Sequence, residues 1–114
     1  MLGNIENRKS RRYPSIARAK IPGLFTGDAL LKDISVTGCC IECTMQVEVD
    51  PDSEYTITIH PEKEAGVRSF NLIVECKWCH SGACSCCIGF AIKQSPKKKD
   101  FLKYVDYLAW RCNK

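Results

Sequence analysis

Apolar and polar residues alternate along several short segments, and turn-forming residues separate these segments. The alternation predicts strands at residues 16–21, 29–34, 39–49, 55–60, 68–79 and 84–93. Turns are predicted between them at Pro22-Gly23, residues 26–28, 35–38, 50–53, 61–66 and 80–82. Short strands with turns about every 8–12 residues are typical of a small antiparallel barrel or sandwich.

The period changes near the C-terminus, where residues 99–112 predict an amphipathic helix. The apolar positions that recur at helical spacing are Phe101, Leu102, Val105, Leu108, Ala109 and Cys112. Asp100 lies in the first turn, where a negative charge favours the helix dipole. We therefore expect one mainly β domain with an arm at 1–13, a barrel at 14–96 and a C-terminal helical segment at 97–114. The helix would cover an end or edge of the barrel.

Positive charge is concentrated at the N-terminus. The 114 residues carry a net charge of +4, but residues 1–20 alone carry +5, so the other 94 residues carry −1. A basic arm on a nearly neutral body suits a phosphate-bearing partner, although a solvated terminus has the same composition.

Two classes of protein are not expected. No segment approaches the ~18 consecutive apolar residues of a membrane span. The first residues, MLGNIENRKSRRYP, contain no apolar core of a secretory signal. The sequence therefore predicts a cytoplasmic protein without membrane insertion.

Nine cysteines require an explanation. An odd number cannot pair fully within one chain, and a reducing compartment favours free thiols. The pairs Cys40/Cys43 and Cys76/Cys79 have zinc-ribbon spacing. They lie in predicted strands, where residues i and i+3 point to opposite faces, so buried structural thiols are the preferred interpretation and no metal or cofactor is expected. Under a redox-sensing alternative, the candidates are Cys84, Cys86 and Cys87 beside His80.

Two short motifs carry the functional prediction. Residues 8–12 read Arg-Lys-Ser-Arg-Arg, an R-x-x-x-R pattern before the first strand. Residues 33–38 read Asp-Ile-Ser-Val-Thr-Gly, a D-x-S-x-x-G pattern between two strands. Each motif alone is weak, but the two in this order and about twenty residues apart are more specific.

This pairing resembles the PilZ domain family, whose members bind the bacterial second messenger cyclic di-GMP. The resemblance covers nearly the whole chain, including the strand at 88–92 and the terminal helix. It implies a six- or seven-stranded antiparallel β-barrel with a C-terminal α-helix, and a signalling receptor rather than an enzyme. The ligand-binding residues it implies are Arg8, Arg12, Asp33, Ser35 and Gly38, with Lys9 and Arg11 as further candidates.

The chemistry of these residue types suits the ligand. Arginine pairs bidentately with phosphate or with the O6/N7 edge of guanine. Asp33 can accept hydrogen bonds from guanine N1–H and N2–H₂, and Ser35 can donate or accept. Gly38 would permit a left-handed backbone or a close approach of the ligand. Without a ligand, the same Asp, Ser and Gly residues would form an ordinary turn.

Two registers of the arginine motif are open. Many family members carry an arginine directly before the hydrophobic residue that opens the first strand, and Ser15 occupies that place before Ile16. In that register Arg11 is followed by Ser15, and one arginine is missing. The register Arg8/Arg12 keeps both arginines but needs about three more residues between arm and strand. We prefer Arg8/Arg12 because a flexible arm absorbs such an offset.

Other functions have less support from the residues. A basic-arm barrel that binds RNA or single-stranded DNA would usually show aromatic residues on adjacent strands, and here they are sparse. A degenerate PilZ-like interaction module without ligand is a further alternative. The chain contains no P-loop and no G-x-S-x-G motif, so we expect no catalytic residues. Arm closure would change a surface for an unknown downstream protein, and the helix face with Tyr104, Tyr107 and Trp110 is the predicted surface.

Overall fold

The computed structural model describes residues 11–82, 85–96 and 98–113, and within these ranges the chain forms seven strands and one α-helix. A short 3-10 turn, Lys63–Ala65, lies between the fifth and sixth strands. The strands are β1 Tyr13–Pro14, β2 Arg18–Lys20, β3 Ala29–Ile34, β4 Gly38–Cys43, β5 Glu54–His60, β6 Phe70–Ser81 and β7 Cys86–Gln94, and the helix is α1 Lys98–Cys112.

Six of the strands close into an antiparallel barrel. The order β3-β2-β5-β6-β7-β4 returns to its start because β4 also pairs with β3. The short strand β1 pairs with the same edge of β3 as β2 does. Pro14 of β1 is opposite Asp33, and Arg18 of β2 is opposite Leu30. The predicted fold class, a small antiparallel barrel with a C-terminal helix, is confirmed.

The first predicted strand, 16–21, is interrupted in the structure. Ser15 and Ala17 keep backbone hydrogen bonds to β3, from Ser15 N to Lys32 O at 3.0 Å and from Leu31 N to Ala17 O at 2.9 Å. Ile16, predicted as its apolar start, is 63% exposed. The buried Ser15 hydroxyl accepts a hydrogen bond from Ala17 N at 3.0 Å, and this local bond competes with regular strand geometry.

Two predicted strand ends differ from the structure because the partner strands decide them. β4 ends at Cys43 instead of residue 49, since its partner β7 begins at Cys86. The alternation at residues 44–49 therefore continues without a sheet to join. β6 extends to Ser81, so His80 and Ser81 are strand residues and not a turn. The hairpin is closed beyond them by Gly82 N donating to Ser85 O at 2.7 Å.

A bulge changes the facing of one predicted cysteine pair. Cys76 pairs with Phe90 and Trp78 with Gly89, so β6 carries one extra residue at this point. An extra residue reverses the alternation, and Cys79 then faces the same side as Cys76. The expectation that these two thiols point to opposite faces is wrong for this pair. The eight described cysteines are free thiols.

The helix packs its apolar side on the barrel. Its buried residues are Phe101, Tyr104, Val105 and Leu108. The rings of Phe101 and Tyr104 each lie 5.9 Å from the ring of Phe70, measured between centroids. Tyr104 is fully buried, so its predicted place on a partner-binding surface is wrong.

In the part of the chain that the structure describes, no helix is both long and apolar enough to span a membrane.

Candidate functional site

The arm residue Arg12 lies on the motif that starts at Asp33. Its Nη1 donates to Asp33 Oδ1 at 3.0 Å, across 21 positions of sequence. The pairing of β1 with β3 causes this contact, since Pro14 is opposite Asp33 and Arg12 immediately precedes β1. The side chains of Arg12 and Asp33 are 41% and 30% exposed, so both can reach a ligand from solvent.

The turn after Asp33 is organised by Ser35. Its Oγ accepts hydrogen bonds from Thr37 N and Gly38 N, both at 3.1 Å. Its backbone N donates to Gly38 O at 2.8 Å. Ser35 is buried and its hydroxyl is engaged inside the turn. Its observed contacts therefore hold the turn in place, which is the turn-forming role that the sequence left open.

Gly38 is required by close packing. The described glycines with positive φ are Gly27 and Gly66, so Gly38 does not use a left-handed backbone. A methyl group at Gly38 would lie 2.9 Å from the carbonyl oxygen of Phe90 and 2.8 Å from Arg12 Nη2. Gly38 therefore allows β7 and the Arg12 guanidinium to approach the start of β4.

The structure describes only some of the other basic residues of the arginine motif. The guanidinium carbon of Arg11 lies 5.4 Å from the centroid of the Tyr13 ring, a cation–π contact. Arg8 and Lys9 lie outside the described residues.

Ser15 separates the two registers of the arginine motif. Its Oγ lies 2.7 Å from Tyr104 Oη, a buried contact between the residue that follows β1 and α1. The Arg11/Ser15 register would thus put its second position in the core. Arg12 belongs to the other register and reaches Asp33. The short strand β1 begins at Tyr13, directly after Arg12, and Ile16 follows Arg12 after three further residues.

Two thiols border the Arg12–Asp33 pair from β4. Burial raises the pKa of Cys39 to about 12, with Arg12 acting in the opposite direction. Burial also raises the pKa of Cys40 to about 11, and the Asp33 carboxylate adds to the rise. Both side chains therefore stay neutral thiols at physiological pH, and the charges of the site are those of the arginine and the carboxylate.

A polar network connects Pro14 of β1 and Glu62 to the helix, and no sequence pattern indicated it. Tyr104 Oη donates to Glu62 Oε1 at 2.7 Å, and Arg111 Nη1 donates to Glu62 Oε2 at 2.9 Å. Arg111 Nη2 also donates to Pro14 O at 2.9 Å. These residues lie far apart along the chain, so no motif spacing could have identified them.

The described residues bear on two further alternatives, a metal site and a base-stacking surface. No three His, Cys, Asp or Glu side chains among them are grouped so as to hold a metal ion. The strand aromatics Phe70 and Phe90 are buried in the barrel and cannot stack on bases. Trp78 is exposed, and its indole covers Gly89.

The fold is similar to that of the Bacillus subtilis inhibitor of motility, MotI/DgrA. The match has a TM-score of 0.72 at 12% sequence identity, and it covers 94% of this chain and 52% of that chain. This chain thus spans about half the length of MotI/DgrA. No protein-family model matches the sequence, and neither does any curated protein. At this identity the likeness concerns the fold alone, and it supports a PilZ-like barrel.

Proposed function

We propose that this protein is a cyclic di-GMP receptor in which the N-terminal arm closes over a ligand held at the Asp33–Gly38 turn. The observation that carries the proposal is the contact of Arg12 with Asp33, which joins the R-x-x-x-R and D-x-S-x-x-G motifs in one place. The PilZ-like fold supports it.

In this proposal Arg12 and Asp33 recognise the ligand by exchanging partners. A phosphate oxygen pair or the O6/N7 edge of guanine takes the guanidinium fork of Arg12. Asp33 Oδ1 then accepts from guanine N1–H or N2–H₂. The ion pair that these contacts replace is partly exposed, and such pairs contribute only ~0–1 kcal/mol, so its loss costs little.

The turn supplies a rigid wall for the ligand. Ser35 acts by holding the turn through its bonds to Thr37 N and Gly38 N. Gly38 leaves space for the Arg12 guanidinium. Arg8, Lys9 and Arg11 add positive charge on the arm side. Ordering the arm costs free energy, so we expect a moderate Kd of ~0.1–10 μM, about −7 to −9.5 kcal/mol.

The output of the proposed receptor passes through α1. Arg12 is followed within three residues by Pro14, which accepts from Arg111, and Ser15, which contacts Tyr104. A movement of Arg12 onto a ligand would therefore displace Pro14 and Ser15, the segment that the helix contacts. Tyr107 and Trp110 remain on the outer part of the helix as the proposed contact for a downstream protein.

Calorimetric titration of the purified chain with cyclic di-GMP tests the proposal. We expect Arg12→Ala to weaken binding by about tenfold to a hundredfold, the equivalent of one lost charge-assisted contact of ~1.5–3 kcal/mol. Arg18→Ala is the matched control, since it removes the same charge from an exposed pair, with Asp28 at 3.4 Å. The Arg8→Ala/Arg12→Ala double variant should abolish measurable binding, and GTP and a short single-stranded RNA should not compete.

The outcomes separate the alternatives. Absence of binding by the folded parent protein would leave a degenerate PilZ-like interaction module. Equal losses in Arg12→Ala and Arg18→Ala would indicate unspecific charge attraction. Binding that survives the double variant would keep the receptor but transfer the clamp to Arg11. Competition by RNA would favour the nucleic-acid alternative.

A further inference from the structure

Four thiols from three strands gather at one end of the barrel, and we call them the thiol cluster. Cys43 of β4 pairs with Cys86 of β7, while the bulge in β6 turns Cys79 to the side that Cys76 faces. Asp33 is opposite Cys40 of β4 and Cys43 follows three residues later, so Cys43 lies about 10 Å along the strand from the Arg12–Asp33 site at ~3.3 Å per strand residue. The members of the cluster are Cys43, Cys76, Cys79 and Cys86.

Two members of the cluster are in direct contact. Cys79 Sγ lies 3.3 Å from Cys86 Sγ. A disulfide bond is about 2.05 Å long, so the sulfurs need to approach by little more than one ångström. Adjacent strands already hold both residues, because Ser81 pairs with Cys86 and Cys79 with Ile88.

The two thiols differ in access to solvent. Cys79 is exposed, whereas Cys86 is fully buried. A reagent in solution therefore meets Cys79 first, and Cys86 is reached through the Cys79 sulfur. This arrangement separates an attacking thiol from a resolving thiol.

We propose that Cys79 and Cys86 form a reversible redox pair that exchanges with low-molecular-weight disulfides. Cys79 loses its proton to solvent and its sulfur attacks one sulfur of the oxidant, whose S–S bond breaks and releases one thiolate. Cys86 then loses its proton and attacks the Cys79 sulfur, forming the Cys79–Cys86 bond and expelling the second thiolate. The protein loses two electrons and two protons, and the oxidant becomes two thiols.

The neighbouring cysteines differ from this pair. Cys87 Sγ donates a hydrogen bond to Glu42 Oε2 at 3.9 Å. Cys112 is exposed on α1. Of the redox candidates from the sequence, Cys86 remains, its partner is Cys79, and Cys84 lies outside the described residues.

The environment of the Cys79 thiol influences the rate of exchange. Desolvation raises the pKa of the Cys79 thiol above its usual range, and the hydrogen bond with Cys86 raises it further. The thiolate is the reacting form, so exchange is slow at neutral pH and faster in mildly alkaline solution.

Mass spectrometry of the full chain tests the proposal with oxidised glutathione as the probe. Residues 78–93 form one tryptic peptide with four cysteines, so the parent for the experiment is the Cys84→Ser/Cys87→Ser variant. The reduced protein is incubated at mildly alkaline pH, quenched with acid and alkylated. The variants compared are Cys79→Ser, Cys86→Ala and the exposed control Cys112→Ser.

We expect the parent and Cys112→Ser to lose two hydrogen atoms and two alkylation sites, with recovery by dithiothreitol. Cys86→Ala should stop at one glutathione adduct on Cys79, and Cys79→Ser should lower the disulfide yield at least tenfold. Circular dichroism checks the fold of each variant. Cys79→Ser changes an exposed side chain, so it keeps the test decisive if Cys86→Ala unfolds.

Three results would overturn the proposal: a parent that stays reduced, a glutathione adduct on Cys79 that is never resolved, or a disulfide that still forms in Cys79→Ser. The experiment contains no cyclic di-GMP, so its outcome is independent of the proposed receptor function.

Discussion

At the scale of single residues, Gly38 permits close packing around it because it lacks a side chain. The carbonyl oxygen of Phe90 and the guanidinium of Arg12 both approach the space that a Cβ would fill. Arg12 can move aside, but the Phe90 carbonyl belongs to β7, which pairs with β4 at this point. The two neighbours therefore resist a substitution unequally.

Gly38→Ala should lower the free energy of unfolding by ~1–3 kcal/mol, because the added methyl group forces a backbone shift in a packed sheet. Urea denaturation measures this change. Gly23→Ala is the control, since no atom lies within 4 Å of the Cβ it would add. If both variants have the same stability, the close approach at Gly38 does not constrain the sheet.

At the scale of elements, the helix is held to the barrel by an apolar side and a buried tyrosine hydroxyl. Phe101, Val105 and Leu108 supply burial, which is non-directional. Tyr104 Oη contacts Ser15 Oγ and Glu62 Oε1, each at 2.7 Å, and these bonds have a direction. The hydroxyl therefore sets where α1 lies relative to the segment that follows the arm.

Tyr104→Phe should reduce the free energy of unfolding by ~1–3 kcal/mol. Loss of the hydroxyl removes a hydrogen-bond partner from two largely buried groups, Ser15 Oγ and Glu62 Oε1. Tyr107→Phe on the same helix is the matched control, at a half-buried position, and should change stability less. Thermal and urea unfolding measure both variants. A larger effect for Tyr107→Phe would mean that the buried network does not hold the helix.

At the scale of the whole molecule, barrel closure makes both ends of β4 parts of one cooperative body. β4 pairs with β7 on one side and with β3 on the other. The proposed ligand site lies at one end of this strand and the thiol cluster at the other. Binding at either end should stabilise the entire fold, because a ligand that binds only the folded state opposes global unfolding.

Cyclic di-GMP at about 100 times its Kd should add ~2.7 kcal/mol of stability and raise the Tm on the order of 10 °C. Differential scanning fluorimetry measures the shift. Arg12→Ala should keep nearly the same Tm without ligand, since a partly exposed ion pair contributes only ~0–1 kcal/mol. With the same ligand concentration this variant should shift little. Equal shifts in parent and variant would place the binding elsewhere.

Local patterns in the sequence predicted which segments form strands and which forms a helix. They also revealed the R-x-x-x-R and D-x-S-x-x-G motifs. Period-2 alternation predicted β3 and β5 closely, and helical spacing predicted α1 to within one residue at its start. These properties depend on neighbours along the chain, so a sequence contains them. The resemblance that these motifs carry, and not periodicity, implied that Arg12 and Asp33 belong to one site.

Long-range pairing decided the rest. Tertiary contacts ended β4 at Cys43, placed Ser15 and Tyr104 in the core, and made Gly38 a packing position. One extra residue in β6, a β-bulge, turned the Cys79 side chain toward Cys86, and no sequence pattern predicts this bulge. The ends of strands, the burial of residues and the contacts between side chains depend on which distant segments of the chain are neighbours. Only the strand pairing of the closed barrel specifies these neighbours.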